Sequence, residues 1–180
     1  MNRYAALLRG IAPSNPNTRN DRLRGVFEEL GLEHVTSVLA SGNILFRSDD
    51  GDVPALERRI QSALTERLGI GGGTIIREHA ELRALLASDP FPGLVHGRGS
   101  YLTVTFLKEG TPEPQLPELS DPRMRIVGHD RDARAVLTVI DNSEPGSTPD
   151  FMSWLERTHG KDITTRTWLT VQRIVAKLEA

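Results

Sequence analysis

The sequence predicts an α+β protein in which a ferredoxin-like βαββαβ half, residues 1–90, carries a smaller α+β half, residues 91–180, packed against it. Three observations predict this. Short apolar runs of strand length alternate with segments of helical period, and their order over the first half is strand, helix, strand, strand, helix, strand. The second half opens on another strand and closes on helices. Between them "SDPFPG", residues 88–93, places two prolines and a glycine where a boundary belongs.

The first strand runs from about Arg3 to Ile11 and gives way to "APSNPNTRN", a loop of proline, asparagine, serine and threonine. Leu23, Val26, Phe27 and Leu30 then fall at i, i+3, i+4 and i+7, the apolar face of a helix, with Gly31 at its C-terminal cap. "HVTSVLA" and "NILFRS" form a hairpin that turns around Ser41, Gly42 and Asn43. "DDGD" caps a second helix that tolerates Pro54 in its first turn and faces inward with Leu56, Ile60, Leu64 and Leu68 before Gly69. "GGGTIIREH" supplies the fourth strand, and a short helix comes next at Ala80–Ala87. "GIGGG", residues 69–73, follows a helix and precedes a strand, the reverse of a phosphate-binding loop, and reads as a flexible connector.

In the second half "YLTVTFLK" is a strand, "TPEPQLPELSDP" a proline-rich loop, and "RMRIVGHDRDARAVLTVI" a hairpin turning near Asp130–Asp132. Ser147, Thr148, Pro149 and Asp150 announce one closing helix. The last helix is expected at about Arg166–Leu178, capped by Thr164 or Thr165 and burying Trp168, Val171, Ile174, Val175 and Leu178. Phe27, Phe46, Phe106, Phe151 and Trp168 read as core. Beyond a coarse similarity of the two halves no internal repeat stands out.

Composition narrows the chemistry. The chain is 38% hydrophobic and 26% charged with formal net charge −2, the profile of an ordinary globular protein. An N-terminus that enters a strand directly, with no spanning apolar run, points to a cytoplasmic protein without membrane partners. The absence of cysteine excludes disulfides, thiolate metal sites and cysteine nucleophiles. A pI near 6.2 argues against broad, sequence-independent nucleic-acid binding. His34, His79, His96, His129 and His159 show no metal-ligand spacing, and nothing in the sequence calls for a cofactor.

Two places stand out. In a ferredoxin-like sheet of order 4-1-3-2, the end of strand 1 lies beside the turn joining strands 2 and 3. Arg9 and Gly10 therefore meet Ser41, Gly42 and Asn43 near the start of the first helix, with Ser14, Asn17, Thr18 and Arg19 in the intervening loop. A helix N-terminus, a glycine and an arginine together suit an anion. An internal carboxylate or backbone carbonyls would serve Arg9 equally well. The second place is "KDITTRTW", residues 161–168, where Arg166 is expected in the first turn of the last helix, a position that calls for a negative partner, from a ligand or from an acid such as Asp162.

"ALLRGI", "GVFEELGLEHVTSVLASGNILF" and "ITTRTWLTVQRI" resemble the bacterial proteins grouped as domain of unknown function 1697. The resemblance spans nearly the whole chain and implies two α+β parts with a ferredoxin-like first half, but no established activity. Arg9, Gly10, Ser41, Gly42, Asn43, Thr165, Arg166 and Trp168 match the family's motifs. This chain has "APSN" where the family has a "NVGG" loop, and Thr167 where it tends to have asparagine.

The leading expectation is a binding module whose cleft between the halves takes an anionic ligand, a nucleotide or short nucleic acid, through Arg9, Gly10, Ser41, Gly42, Asn43, Thr165 and Arg166. The rival is a small hydrolase or transferase on a phosphorylated or carboxylated substrate, with a histidine or an acid as base. A third is a scaffold without a small ligand. An exposed edge strand and the proline-rich loop are compatible with a monomer or a homodimer.

Overall fold

A computed structural model describes residues 1–144 and 152–180. The expected helix start at Ser147–Asp150 and the expected core residue Phe151 lie outside the described residues. Two compact units emerge, Met1–Leu82 with Arg173–Ala180, and Arg83–Gln172.

The first unit holds β1 (Asn2–Leu8), α1 (Asn20–Glu29), β2 (Glu33–Ser37), β3 (Asn43–Ser48), α2 (Val53–Leu68) and β4 (Thr74–Glu78). Its antiparallel sheet has the order β2-β3-β1-β4, as the ferredoxin-like reading requires. The helical periodicity explains the core. Leu23, Val26 and Phe27 of α1 and Leu56, Ile60 and Leu64 of α2 close over Tyr4, Ala6, Leu8, Ile44, Phe46 and Ile76 on one face of the sheet. Each large side chain removed from water there contributes about 1.5–3 kcal/mol. Tyr4 and Phe46 stack at 5.4 Å.

Helix ends obey local chemistry. Asp52 accepts from the Ala55 N–H at 3.0 Å, and Gly69 closes α2 in the left-handed conformation at φ 69°. One inward position on α2 breaks the apolar rule: Glu57 is buried, and its Oε1 accepts the Ile76 N–H at 3.0 Å. A carboxylate there satisfies a backbone donor of the edge strand β4 that would otherwise lie buried.

The second unit holds α3 (His79–Ala87) in part, then β5 (Tyr101–Leu107), β6 (Met124–Asp130), β7 (Ala135–Ile140), α4 (Met152–His159) and β8 (Ile163–Thr167). α5 (Trp168–Glu179) begins in this unit and ends in the first. Here the structure corrects the sequence expectation, because "ITTRT" is a strand and not a helix start. Four β-branched residues in five, Ile163, Thr164, Thr165 and Thr167, favour the extended chain, and the cap is Thr167, whose Oγ1 accepts the Thr170 N–H at 3.2 Å. The expected core residues of α5 are buried, and Trp168 meets Phe91 edge-on at 5.4 Å.

The second sheet has the order β6-β7-β5-β8, the same topology as the first. Registers agree residue by residue. Ala5 lies between Leu45 and Arg77, and Val104 between Leu137 and Arg166. Leu8 N–H donates to Gly42 O, and Leu107 N–H to Arg134 O, both at 2.8 Å. The chain is thus an internal repeat, in which a proline-rich segment takes the place of α1 in the second copy. Sequence divergence between the copies hid it.

Candidate functional site

The end of β1 is clamped between two loops. Leu8 N–H reaches Gly42 O at 2.8 Å, and Arg9 N–H reaches Gly73 O at 3.0 Å. Gly42 has φ +82°, and a Cβ added there would stand 2.5 Å from Ile11 Cγ1. A Cβ on Gly72 would stand 2.0 Å from Arg9 O, so "GIGGG" is a packed backbone contact and not the flexible connector expected from its composition. Gly10, at φ +82°, faces the same loop, with Gly72 Cα 3.3 Å from an added Cβ. The close approach that its glycine permits is made by the chain itself.

Asn43 opens β3 and is fully buried. Its Nδ2 donates to Val38 O and to Ser41 Oγ, each at 2.9 Å, which fixes the 38–43 turn and leaves exposed Ser41 at its tip. The turn is also tied to α1. Asn20 Nδ2 donates to Leu39 O at 2.7 Å, and Arg24 Nη1 donates to Ser37 Oγ at 2.8 Å.

Before α1, Thr18 Oγ1 lies 2.6 Å from Ala12 O and 2.8 Å from Asn15 O, holding the polar loop in a 3-10 turn. The N-cap of α1 is Arg19, which makes no side-chain cap. Beside this first turn lies a cavity of about 530 Å³ lined by Pro13, Asn15, Thr18, Arg19, Arg24 and Ala40, with Asn20 and Asp21. Arg19 Nε lies 3.4 Å from Asp21. Of the residues singled out in sequence, Arg9, Gly10, Ser41, Gly42 and Asn43 come together at this end of the first unit.

Thr165 and Arg166 belong to the second unit. Arg166 is the fourth residue of β8 and is buried, not in a first helical turn. Its Nη1 donates to Thr164 Oγ1 at 2.8 Å and to Thr165 O at 3.0 Å, and burial pushes its pKa down to about 10. Arg77 repeats the arrangement in the first sheet, donating to Ile76 O at 2.9 Å. Thr165 Oγ1 lies 2.8 Å from Thr105 Oγ1.

Sequence reasoning missed a cavity of about 710 Å³ in the second unit, lined by Lys108, Glu109, Glu113, Thr158, His159 and Asp162 among others. His159 ends α4, and its Nε2 is buried without a hydrogen-bond partner among the described residues. Burial holds the imidazole below its ordinary pKa. The signal that could have found this place is the repeat: Lys108 follows Leu107 as Arg9 follows Leu8, and its N–H reaches Asp162 O at 2.8 Å as that of Arg9 reaches Gly73 O.

Two ferredoxin-like sheets in tandem, each with a cation at the end of its first strand, define a duplicated α+β protein. Residues 1–133 match the family described as "Protein of unknown function (DUF1697)", and the chain belongs to that family. The conserved bacterial protein SP0830 from Streptococcus pneumoniae shares the fold, with TM-score 0.70 at 20% identity over 100% of this chain and 99% of that one. No curated protein matches the sequence. Among the described residues, no helix is long and apolar enough to cross a membrane.

Proposed function

We propose that the protein is a binding module for a small anionic ligand of the nucleotide class, seated in the first unit at the start of α1. One observation carries the reading: a single cavity gathers the first turn of α1, which no side chain caps, and two guanidinium-bearing residues, Arg19 and Arg24, against one acid, Asp21, 3.4 Å from Arg19. Partial positive charge on the helix end and the planar forks of arginine both favour a phosphate or carboxylate. Ser41 follows Ala40 directly, and its hydroxyl accepts from Asn43 Nδ2 at 2.9 Å. Arg9 ends the strand whose succeeding loop supplies Pro13 and Asn15. Gly10, Gly42 and Asn43 hold this geometry through backbone packing and the 38–43 turn. Thr165 and Arg166 stay outside this ligand set, since they belong to the second unit and do not line the α1 cavity.

Calorimetric titration of the intact protein with AMP, ATP and a short oligothymidylate at low salt tests this. Binding in the micromolar to low millimolar range that weakens at least tenfold in Arg24→Gln supports it. Absence of binding by all three, or affinity unchanged by both Arg19→Gln and Arg24→Gln, refutes it.

A second reading, a small hydrolase or transferase, is favoured by His159. A neutral imidazole in a cavity with Lys108 and Asp162 has the makings of a general base beside a cation. Turnover in a phosphatase and esterase screen that disappears in His159→Gln supports this reading, and turnover that survives the change removes His159 from it.

A further inference from the structure

The sheet of the first unit carries a second feature, which shares no residue with the α1 cavity. A depression of about 250 Å³ is lined by Arg3, His34, Thr36, Arg47, Lys177 and Ala180, together with Leu45, Phe46 and Leu178. No aspartate or glutamate lines it. Arg3 and Arg47 are direct partners in the β1–β3 register, so two guanidinium-bearing side chains stand opposite each other on one face. Like charges in that relation repel and destabilise a sheet.

The usual remedy is a carboxylate in ion-pair contact, and among the described residues none makes such a contact with Arg3, Arg47 or Lys177; the terminal carboxylate of Ala180, the one acidic group on the lining, forms no ion pair. Arg3 Nη1 donates to the backbone carbonyl of Leu178 at 2.8 Å, which neutralises no charge. The side chains of His34, Arg47 and Lys177 make no hydrogen bond or ion pair among the described residues. Glu33 stands opposite Arg47 in the β2–β3 register, but it lies outside the depression and forms no ion pair with it. Glu179, the nearest acid along α5, is engaged with His79 at 3.3 Å. His34 has φ +50°, an uncommon backbone state for a non-glycine residue, within the irregular stretch of β2 between Glu33 and Thr36.

We infer that this depression binds a phosphoryl group, as free phosphate or as the terminal group of a phosphomonoester. Two guanidinium forks present paired donors to tetrahedral oxygens, and an ammonium adds a point charge. Thr36 supplies a hydroxyl. Its volume lies below the roughly 300 Å³ at which pockets for drug-sized ligands begin, which suits a single headgroup. A bound dianion would turn the Arg3–Arg47 repulsion into a shared contact.

The test uses the intact protein at low ionic strength, with inorganic phosphate, methyl phosphate and acetate as probes and thermal melting and calorimetry as readouts. Phosphate and methyl phosphate are expected to bind and raise the melting temperature, acetate at least tenfold more weakly. Arg47→Gln is expected to weaken phosphate binding at least tenfold while leaving the ligand-free melting temperature equal or higher, because it removes the repulsion. Nucleotide binding at the α1 cavity is lost with Arg24→Gln and not with Arg47→Gln, so failure of that reading and failure of this one are told apart. If Arg47→Gln lowers the ligand-free melting temperature by several degrees, the guanidinium is already paired within the chain and the inference fails. It fails equally if acetate matches phosphate, if phosphate does not bind, or if Arg47→Gln does not weaken its binding.

Discussion

Replacing Gly72 by alanine puts the packing of the strand end to a quantitative test. The new Cβ would stand 2.0 Å from Arg9 O, 2.4 Å from Arg9 C and 2.8 Å from Gly10 N, all backbone atoms that no rotamer change can move. Reaching ordinary contact at 3.4 Å requires a shift of about 1.4 Å between two segments. The Arg9 N–H to Gly73 O bond, 3.0 Å long, does not survive that shift. A lost backbone hydrogen bond costs about 1 kcal/mol, and forced overpacking a further 1–3 kcal/mol, so a destabilisation of about 2–4 kcal/mol is expected. At roughly 2–4 °C per kcal/mol for a chain of this size, the melting temperature should fall by about 5–15 °C. Circular dichroism melts measure it, with Gly71→Ala as the control, because a Cβ there meets nothing within 4 Å. Equal melting of Gly72→Ala and Gly71→Ala would refute the close approach.

Asn43→Ala removes a buried amide that binds Val38 O and Ser41 Oγ, and urea unfolding should show a loss of about 2–3 kcal/mol; a change below about 0.5 kcal/mol would mean that the turn holds itself. Thr167→Val deletes the cap of α5 and should cost about 1 kcal/mol, whereas Thr167→Asn, an equally good cap, should stay within about 0.5 kcal/mol of the parent. Burial keeps the His159 imidazole neutral where an unfolded chain is already protonated. Its contribution to stability is therefore complete above about pH 6.5 and declines as pH falls below that value, so His159→Gln should flatten the limb of a stability profile that descends below about pH 6.5. Parallel limbs for variant and parent would exclude His159 as the source.

The first sheet was legible because its signals are local. The i, i+3, i+4 spacing of Leu23, Val26 and Phe27, the Asp52 cap and the glycines at 31 and 69 each specify one element without reference to the rest. The meeting of Arg9 with the Ser41–Asn43 turn could be read from sheet order alone. The features that escaped depend on long-range pairing. "ITTRT" offers threonines that suit a cap or a strand equally, and only the ladder to Thr103–Leu107 decides in favour of the strand. Glu57 looks like a solvated helix residue until β4 brings the Ile76 N–H against it. The cationic depression needs Arg3 beside Arg47 and both near Lys177, residues on three elements far apart along the chain. Periodicity cannot report such a meeting.

The duplication changes what the two arginines of the sequence motifs mean. Arg166 and Arg77 occupy one position of a repeated lattice, each fourth in its strand, each buried, each donating to the carbonyl of the preceding residue. Taking a guanidinium out of water is costly, and the lowered pKa of Arg166 records that cost. Because the same residue type meets the same geometry in both sheets, Arg166 belongs to the repeated lattice of the fold. Arg9 answers to a different rule. Its counterpart is Lys108, at the same strand end and held by the same backbone bond, and the chain beyond that end differs between the copies. After Arg9 it builds α1 and a cavity at its first turn; after Lys108 it runs into the proline-rich segment and a larger cavity beside His159. Shared positions in the sheets carry the fold, and the unshared segments beyond the first strands are where chemical differences between the units must lie.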